Sequence, residues 1–96
     1  MKSIIWSHNS ETDLDEIFEI ISQDSPKNAI NFIKGLVQSV EKILLFPNSG
    51  RVVPEFSIAH IRELQYKDYR IVYSVMEDVV LILTVFNGHK EIRRFL

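Results

Sequence analysis

The chain contains no cysteine among its 96 residues. Disulfides and thiolate metal sites are therefore excluded, and a reducing cytoplasm is the natural setting. No stretch reaches the roughly 18–20 apolar residues of a membrane span. The opening MKSIIW carries one lysine and too short an apolar run for a signal peptide. Glycine, proline and histidine occur only three times each. No linker, repeat or low-complexity tract is present. These absences leave one small domain, residues 1–96, expected to need no covalent staples. A chain of this size buries somewhat over about 60% of its unfolded surface, enough for one core.

A large excess of positive or negative charge is also missing. The formal net charge is −2, so the chain as a whole is no obvious polyanion binder. Its distribution says more. Residues 1–46 carry four lysines against seven acids, and residues 47–96 carry seven Lys/Arg against six acids. All five arginines (Arg51, Arg62, Arg70, Arg93 and Arg94) fall in the second half. The planar guanidinium fork suits phosphate or carboxylate recognition, although scattered charge is equally the mark of an ordinary solvated surface.

What the chain does have is an apolar meander, IRELQYKDYRIVYSVMEDVVLILTVF, from Ile61 to Phe86. It reads as three strands, Ile61–Gln65, Tyr69–Met76 and Val79–Phe86, joined by short polar turns. β-Branched and aromatic residues dominate the second and third. The second alternates, with Tyr69, Ile71, Tyr73 and Val75 on one side and Arg70, Val72, Ser74 and Met76 on the other. The third is apolar on both sides and belongs inside the sheet.

Ahead of the meander, Lys2–Ser7 reads as a short strand. Ser10-x-x-Asp13 has capping-box spacing for a first helix, whose stripe is Leu14, Ile17, Phe18 and Ile21. Glu11, Asp15 and Glu19 line a solvated face of it. Ser25-Pro26 starts a second helix that runs to about Phe46, with Ala29, Phe32, Leu36, Val40 and Ile43 on its apolar face. Gly35, costly in mid-helix, points to a close approach between the two helices. Pro47-Asn48-Ser49-Gly50 ends the helix. Arg51–Ile58 reads as a connection, because Pro54 bars most of it from a central strand. The order is β-α-α-β-β-β, an α+β domain with a helical hairpin on a mostly antiparallel sheet.

In that order the residues resemble the RelE/ParE superfamily of toxins from type II toxin–antitoxin modules. The resemblance spans nearly the whole chain. It rests on Asp13-Leu14-x-x-Ile17, Phe46-Pro47-x-x-Gly50-Arg51, Ile61-Arg62-Glu63-Leu64, Tyr69-Arg70-Ile71-Val72-Tyr73 and Ile82-Leu83-x-Val85-Phe86-x-Gly88-His89. It implies a cytoplasmic, growth-arresting protein without cofactor, held inactive by a cognate antitoxin that folds on it. Operator DNA would be reached only through the antitoxin. RelE-like members cut mRNA on the ribosome without metal; ParE-like members poison DNA gyrase.

The resemblance places Arg70 where RelE-like enzymes hold a phosphate-binding arginine and Lys90 near a second cation. Glu63 or His60 would be the base and His89 the acid, since histidine carries protons near neutral pH. Arg51, Arg62, Arg70, Arg93, Arg94 and Phe95 are the expected contacts to a target or antitoxin. Each has a plainer reading. Arg70 can pair with Asp68, Glu63 or another acid, Glu63 can serve a basic cross-strand neighbour, and Arg51 can bond helix-end carbonyls. The mildly acidic composition departs from RelE-like enzymes, whose affinity comes from neutralised RNA phosphates. So does a tail with Phe95 as its one aromatic, where a base would stack. The expected function is a ParE-like gyrase poison. The alternatives are a ribosome-dependent mRNA endonuclease, and a harmless remnant that binds antitoxin in operon autoregulation.

Overall fold

A computed structural model describes residues 2–88, which form a five-stranded sheet with two helices on one face. The meander lies as expected at the centre. β3 (Ile61–Tyr66), β4 (Tyr69–Val75) and β5 (Val79–Asn87) pair antiparallel, and β1 (Ser3–Trp6) adds to β5 in parallel. β5 is thus an interior strand, as its two-sided apolar character requires. The architecture is α+β with a mostly antiparallel sheet. One strand was not anticipated: β2, the pair Arg51–Val52, adds antiparallel to β3 as the far edge. Pro54 does bar a longer strand, since it has no N–H for the ladder, but it leaves room for two residues before it.

α1 (His8–Ser22) begins a turn earlier than the Ser10 box suggested. Ser7 is the cap: its Oγ accepts from the Ser10 N–H at 3.1 Å and donates to the Leu83 carbonyl at 3.0 Å. Ser10 is fully buried, and its hydroxyl donates to the Ser7 carbonyl at 2.8 Å. The sequence places Ser7 last in the strand and Ser10 at the cap; β1 ends at Trp6, which leaves Ser7 to take the cap. Asp13 is consequently freed from capping. It is 4% exposed, and its Oδ2 accepts from the Thr84 hydroxyl at 2.6 Å and the Val85 N–H at 2.9 Å. The pairs Val72–Thr84 and Tyr73–Ile82 leave Leu83 unopposed in β4, a bulge. β1 pairs with β5 only as far as Ile82, and Asp13 serves β5 where that partner has stopped.

α2 (Pro26–Glu41) starts as expected, with Ser25 Oγ accepting from the Asn28 N–H at 3.2 Å and proline in the first turn. It stops short of Phe46. The chain tightens into a 3-10 turn, Lys42–Leu44, with the Leu45 N–H donating to the Lys42 carbonyl. Pro47 disfavours α conformation in the residue before it, which suits an early, tightened end. Gly35 approaches β3 rather than α1: a Cβ there would lie 2.2 Å from the Tyr66 hydroxyl. Phe32 packs edge-on to Tyr66 and Tyr69, at 5.3 and 5.6 Å between centroids.

The helices cover one face of the sheet. Ile17, Leu36, Val40, Ile43, Ile71, Tyr73, Val80, Ile82 and Val85 form the core there. On the other face the described residues form a smaller cluster, Val53 and Val72 buried, with Phe56, Ile61, Leu83 and Phe86 around them. Its cover is the loop between β2 and β3. Alternation along β4 therefore held, with Ile71 and Tyr73 inward and Arg70 and Val72 outward.

Candidate functional site

The outward face of β4 carries the charged residues singled out in the sequence. Register sets Arg70 between Gln65 on β3 and Phe86 on β5, and sets Glu63 between Arg51 on β2 and Val72 on β4. Side chains two apart on one strand share a face, so Arg51, Glu63 and Arg70 converge. The Arg70 Nε–H donates to Glu63 Oε2 at 2.5 Å. Its two terminal nitrogens donate to the two oxygens of Glu55, each at 2.9 Å, in the parallel two-bond geometry that makes arginine–carboxylate pairs strong. Glu63 Oε1 accepts from the Arg51 Nε–H. Behind the Arg70 guanidinium, the Phe86 ring centroid is 5.1 Å away, within cation–π range.

The result is a chain of alternating charge, Arg51–Glu63–Arg70–Glu55, that sums to zero. Its middle is buried and its ends are wet: Glu63 and Arg70 side chains are 4% and 13% exposed, Glu55 and Arg51 37% and 68%. A buried charge is tolerated only when paired, and here each inner charge has two partners. The hydrogen bonds from Arg70 hold the Glu55 carboxyl down at about 2 against its ordinary 4.5. Arg70 is pushed up in turn, first by Glu55 and then by Glu63. Beside the chain lies a polar cleft of about 420 Å³, lined by Arg51, Glu63, Gln65, Asp68, Arg70 and Gly88. Gly88 closes it, its N–H donating to the Asp68 carbonyl at 2.7 Å, and a Cβ there would touch Arg70 Cγ at 3.6 Å.

Arg62 lies on the opposite face. It pairs in register with Tyr73 and donates to the carbonyls of Gly50 and Asn48, at 2.9 and 3.2 Å. The sequence had offered helix-end carbonyls to Arg51; these two carbonyls belong to the loop after the 3-10 turn, and Arg51 pairs with Glu63 instead. The Tyr73 hydroxyl donates to the Pro47 carbonyl and accepts from the Gly50 N–H, both at 3.0 Å. Burial pushes the Tyr73 phenol up. Gly50 does not take a left-handed φ as a helix-ending glycine would. A Cβ there would lie 2.3 Å from the Tyr73 hydroxyl and 2.6 Å from the Glu63 carbonyl. The Pro-x-x-Gly-Arg segment is thus a fitted loop: proline supplies an acceptor, glycine supplies space, and arginine pairs with Glu63.

Of the expected site residues, the fold gathers Arg70, Glu63 and Arg51 and separates Arg62 from them. His60 is exposed at the far end of the β3–β4 hairpin, where its carbonyl accepts from the Val75 N–H. His89, Lys90, Arg93, Arg94 and Phe95 lie outside the described residues. Among the described residues, no group of three His, Asp or Glu side chains is placed to hold a metal. Sequence reasoning missed Glu55 and Phe86 as partners of Arg70. Phe86 was reachable through pairing of the last two strands. Glu55 sits in an aperiodic loop with no pattern to point at it.

A family model described as the ParE toxin of the type II toxin–antitoxin system, parDE, matches residues 4–92. The chain belongs to the ParE toxin family. It is the toxin member of a type II system, and that membership implies a cognate antitoxin as partner. Among solved structures, a chain of the chromosomal ParDE toxin–antitoxin system from P. aeruginosa matches with a TM-score of 0.76 at 21% identity. The match covers 91% of this ParE-family chain and 96% of the other. At that identity the likeness speaks to the fold alone. No curated protein matches the chain in sequence. Among the described residues, no helix is long and apolar enough to cross a membrane.

Proposed function

We propose that this ParE-family toxin arrests growth by binding and poisoning DNA gyrase, with no nucleolytic chemistry of its own. The observation that carries this reading is the engagement of Arg70. Metal-free RNA cleavage needs a cation ready for the phosphorane and a base ready for the 2′-hydroxyl. Arg70 already spends its fork on Glu55 and its Nε–H on Glu63. Glu63, the base candidate, is 4% exposed with both oxygens accepting from guanidinium groups. A site that is neutral and paired to itself attracts RNA phosphates weakly, in keeping with the acidic net charge of −2. Binding to a protein machine asks for none of this chemistry.

In the same reading the antitoxin covers exposed apolar surface in and after the 3-10 turn that follows α2, where Leu44, Leu45 and Phe46 are 37%, 73% and 70% exposed. A chain this small offers few such surfaces. Operator DNA is contacted through the antitoxin. The test is purified toxin added to gyrase, ATP and plasmid. Supercoiling is expected to fall, with linear DNA released on denaturation. Gyrase left untouched at high molar excess would remove the proposal.

A further inference from the structure

The Arg70 guanidinium has two hydrogen-bonding edges, and they are held differently. Its Nε edge meets Glu63, a fixed and buried member of β3. Its outer edge, carrying both terminal nitrogens, meets a carboxylate 37% exposed and borne on a loop. Glu55 is not there by accident of a long side chain. Val53, two residues before it, is fully buried, and Phe56 after it packs on the same small cluster. The N–H groups of Phe56 and Ser57 both donate to the Val53 carbonyl, at 3.1 and 2.9 Å. That turn holds Glu55 between two anchors with its carboxylate square against the fork.

We propose that Glu55 is a built-in ligand occupying a small-oxyanion site formed by Arg70 and Arg51, and that it shuts that site to phosphate or carboxylate from outside. Remove its charge and a preorganised fork remains. The Nε edge stays pinned by Glu63, and the guanidinium stays seated on Phe86 at 5.1 Å. Arg51, 68% exposed and lining the same cleft, supplies a second cation. Arg51, Glu63 and Arg70 then sum to +1, and Asp68 in the same cleft brings the charged lining to zero, so binding rests on the geometry of the freed fork and suits one small anion better than a polyanion strand. An internal carboxylate in this geometry lowers apparent affinity by the fraction of time the fork is free. The inference is independent of the cellular target proposed above.

The test uses the full chain, ¹⁵N-labelled, as wild type, Glu55→Gln and Glu55→Ala. Each is titrated with inorganic phosphate and, in a second arm, with acetate, following the Arg70 Nε–H and Gly88 amide signals. Both variants are expected to bind at least one anion about tenfold or more tightly than wild type, with shifts centred on those two signals. Phosphate alone would mark the site as suited to a phosphate group, acetate alone to a carboxylate side chain; either supports the proposal. Equal affinity in wild type and variants, absence of binding in both variants, or shifts centred away from Arg70 would overturn it. A role for Glu55 in stability alone would lower the melting temperature without creating an anion titration.

Discussion

On the helix side of β4, Ile71 and Tyr73 are fully buried under α1, α2 and the 3-10 turn. On the other side, among the described residues, Arg70 and Val72 are covered by the β2–β3 loop. One strand, read at alternate residues, thus faces two environments. The first face is held by apolar area and packing, where about 25 cal/mol per Å² accumulates without regard to direction. The second face is held by directed ion pairs whose members would each be costly if left alone. The residues of chemical interest sit on the face with the smaller apolar cluster, where substitutions are expected to cost less stability.

The sharpest way to break this contrast is to empty the packed side. Leu36→Ala, at a fully buried position, should cost about 2–5 kcal/mol in urea unfolding. Next comes the polar tie between the helix layer and the bulged strand. Asp13→Ala removes the acceptor for the Thr84 hydroxyl and the Val85 N–H. It should cost about 2–3 kcal/mol, because both donors face a charged acceptor, and hydrogen exchange at Val85 should quicken. Tyr73→Phe keeps the ring and deletes the hydroxyl between Pro47 and Gly50. A loss of about 1 kcal/mol is expected, with loosening of the 47–50 loop.

The smallest effect belongs to the outward face. Glu55→Gln should change stability by less than about 1 kcal/mol at neutral pH, because the carboxylate is partly solvated. The effect should depend on pH in one direction. Glu55 is held down in the folded state, so its contribution is complete above its ordinary 4.5 and is lost as pH falls through about 2. Melting curves of wild type and Glu55→Gln should therefore converge over that interval. If they differed by several kcal/mol at neutral pH, the outward face would be a structural core and the contrast would fail.

Much of this was legible in the chain. Period-two alternation through Tyr69–Val75 identified both faces, and the two-sided apolar run after it located the interior strand. Ser25-Pro26 marked a helix start because cap and proline agree. The failures came where local pattern was degenerate or absent. Ser10 was favoured by its spacing to Asp13, and the end of β1 gives the cap to Ser7 instead. Gly35 signalled a close approach, but to Tyr66 of β3 and not to the first helix that the sequence pointed to. Arg51–Val52 is too short to show any period. For the site, register of β3 against β4 could bring Glu63 and Arg70 together, while Arg51 joins them through β2, the strand the sequence did not show. Glu55 comes from a loop whose path depends on the burial of Val53 and Phe56, and that is a property of the finished packing.

The most direct measurement of the central claim, that the outward face pairs with itself and does no phosphoryl chemistry, is a map of mRNA 5′ ends. Purified toxin would be added in excess to a reconstituted translation reaction. Full-length transcripts and unimpaired translation are the expected result, since Arg70 is engaged by Glu55 and Glu63. New 5′ ends that appear only on ribosome-bound mRNA would contradict the account and make this face a nuclease site.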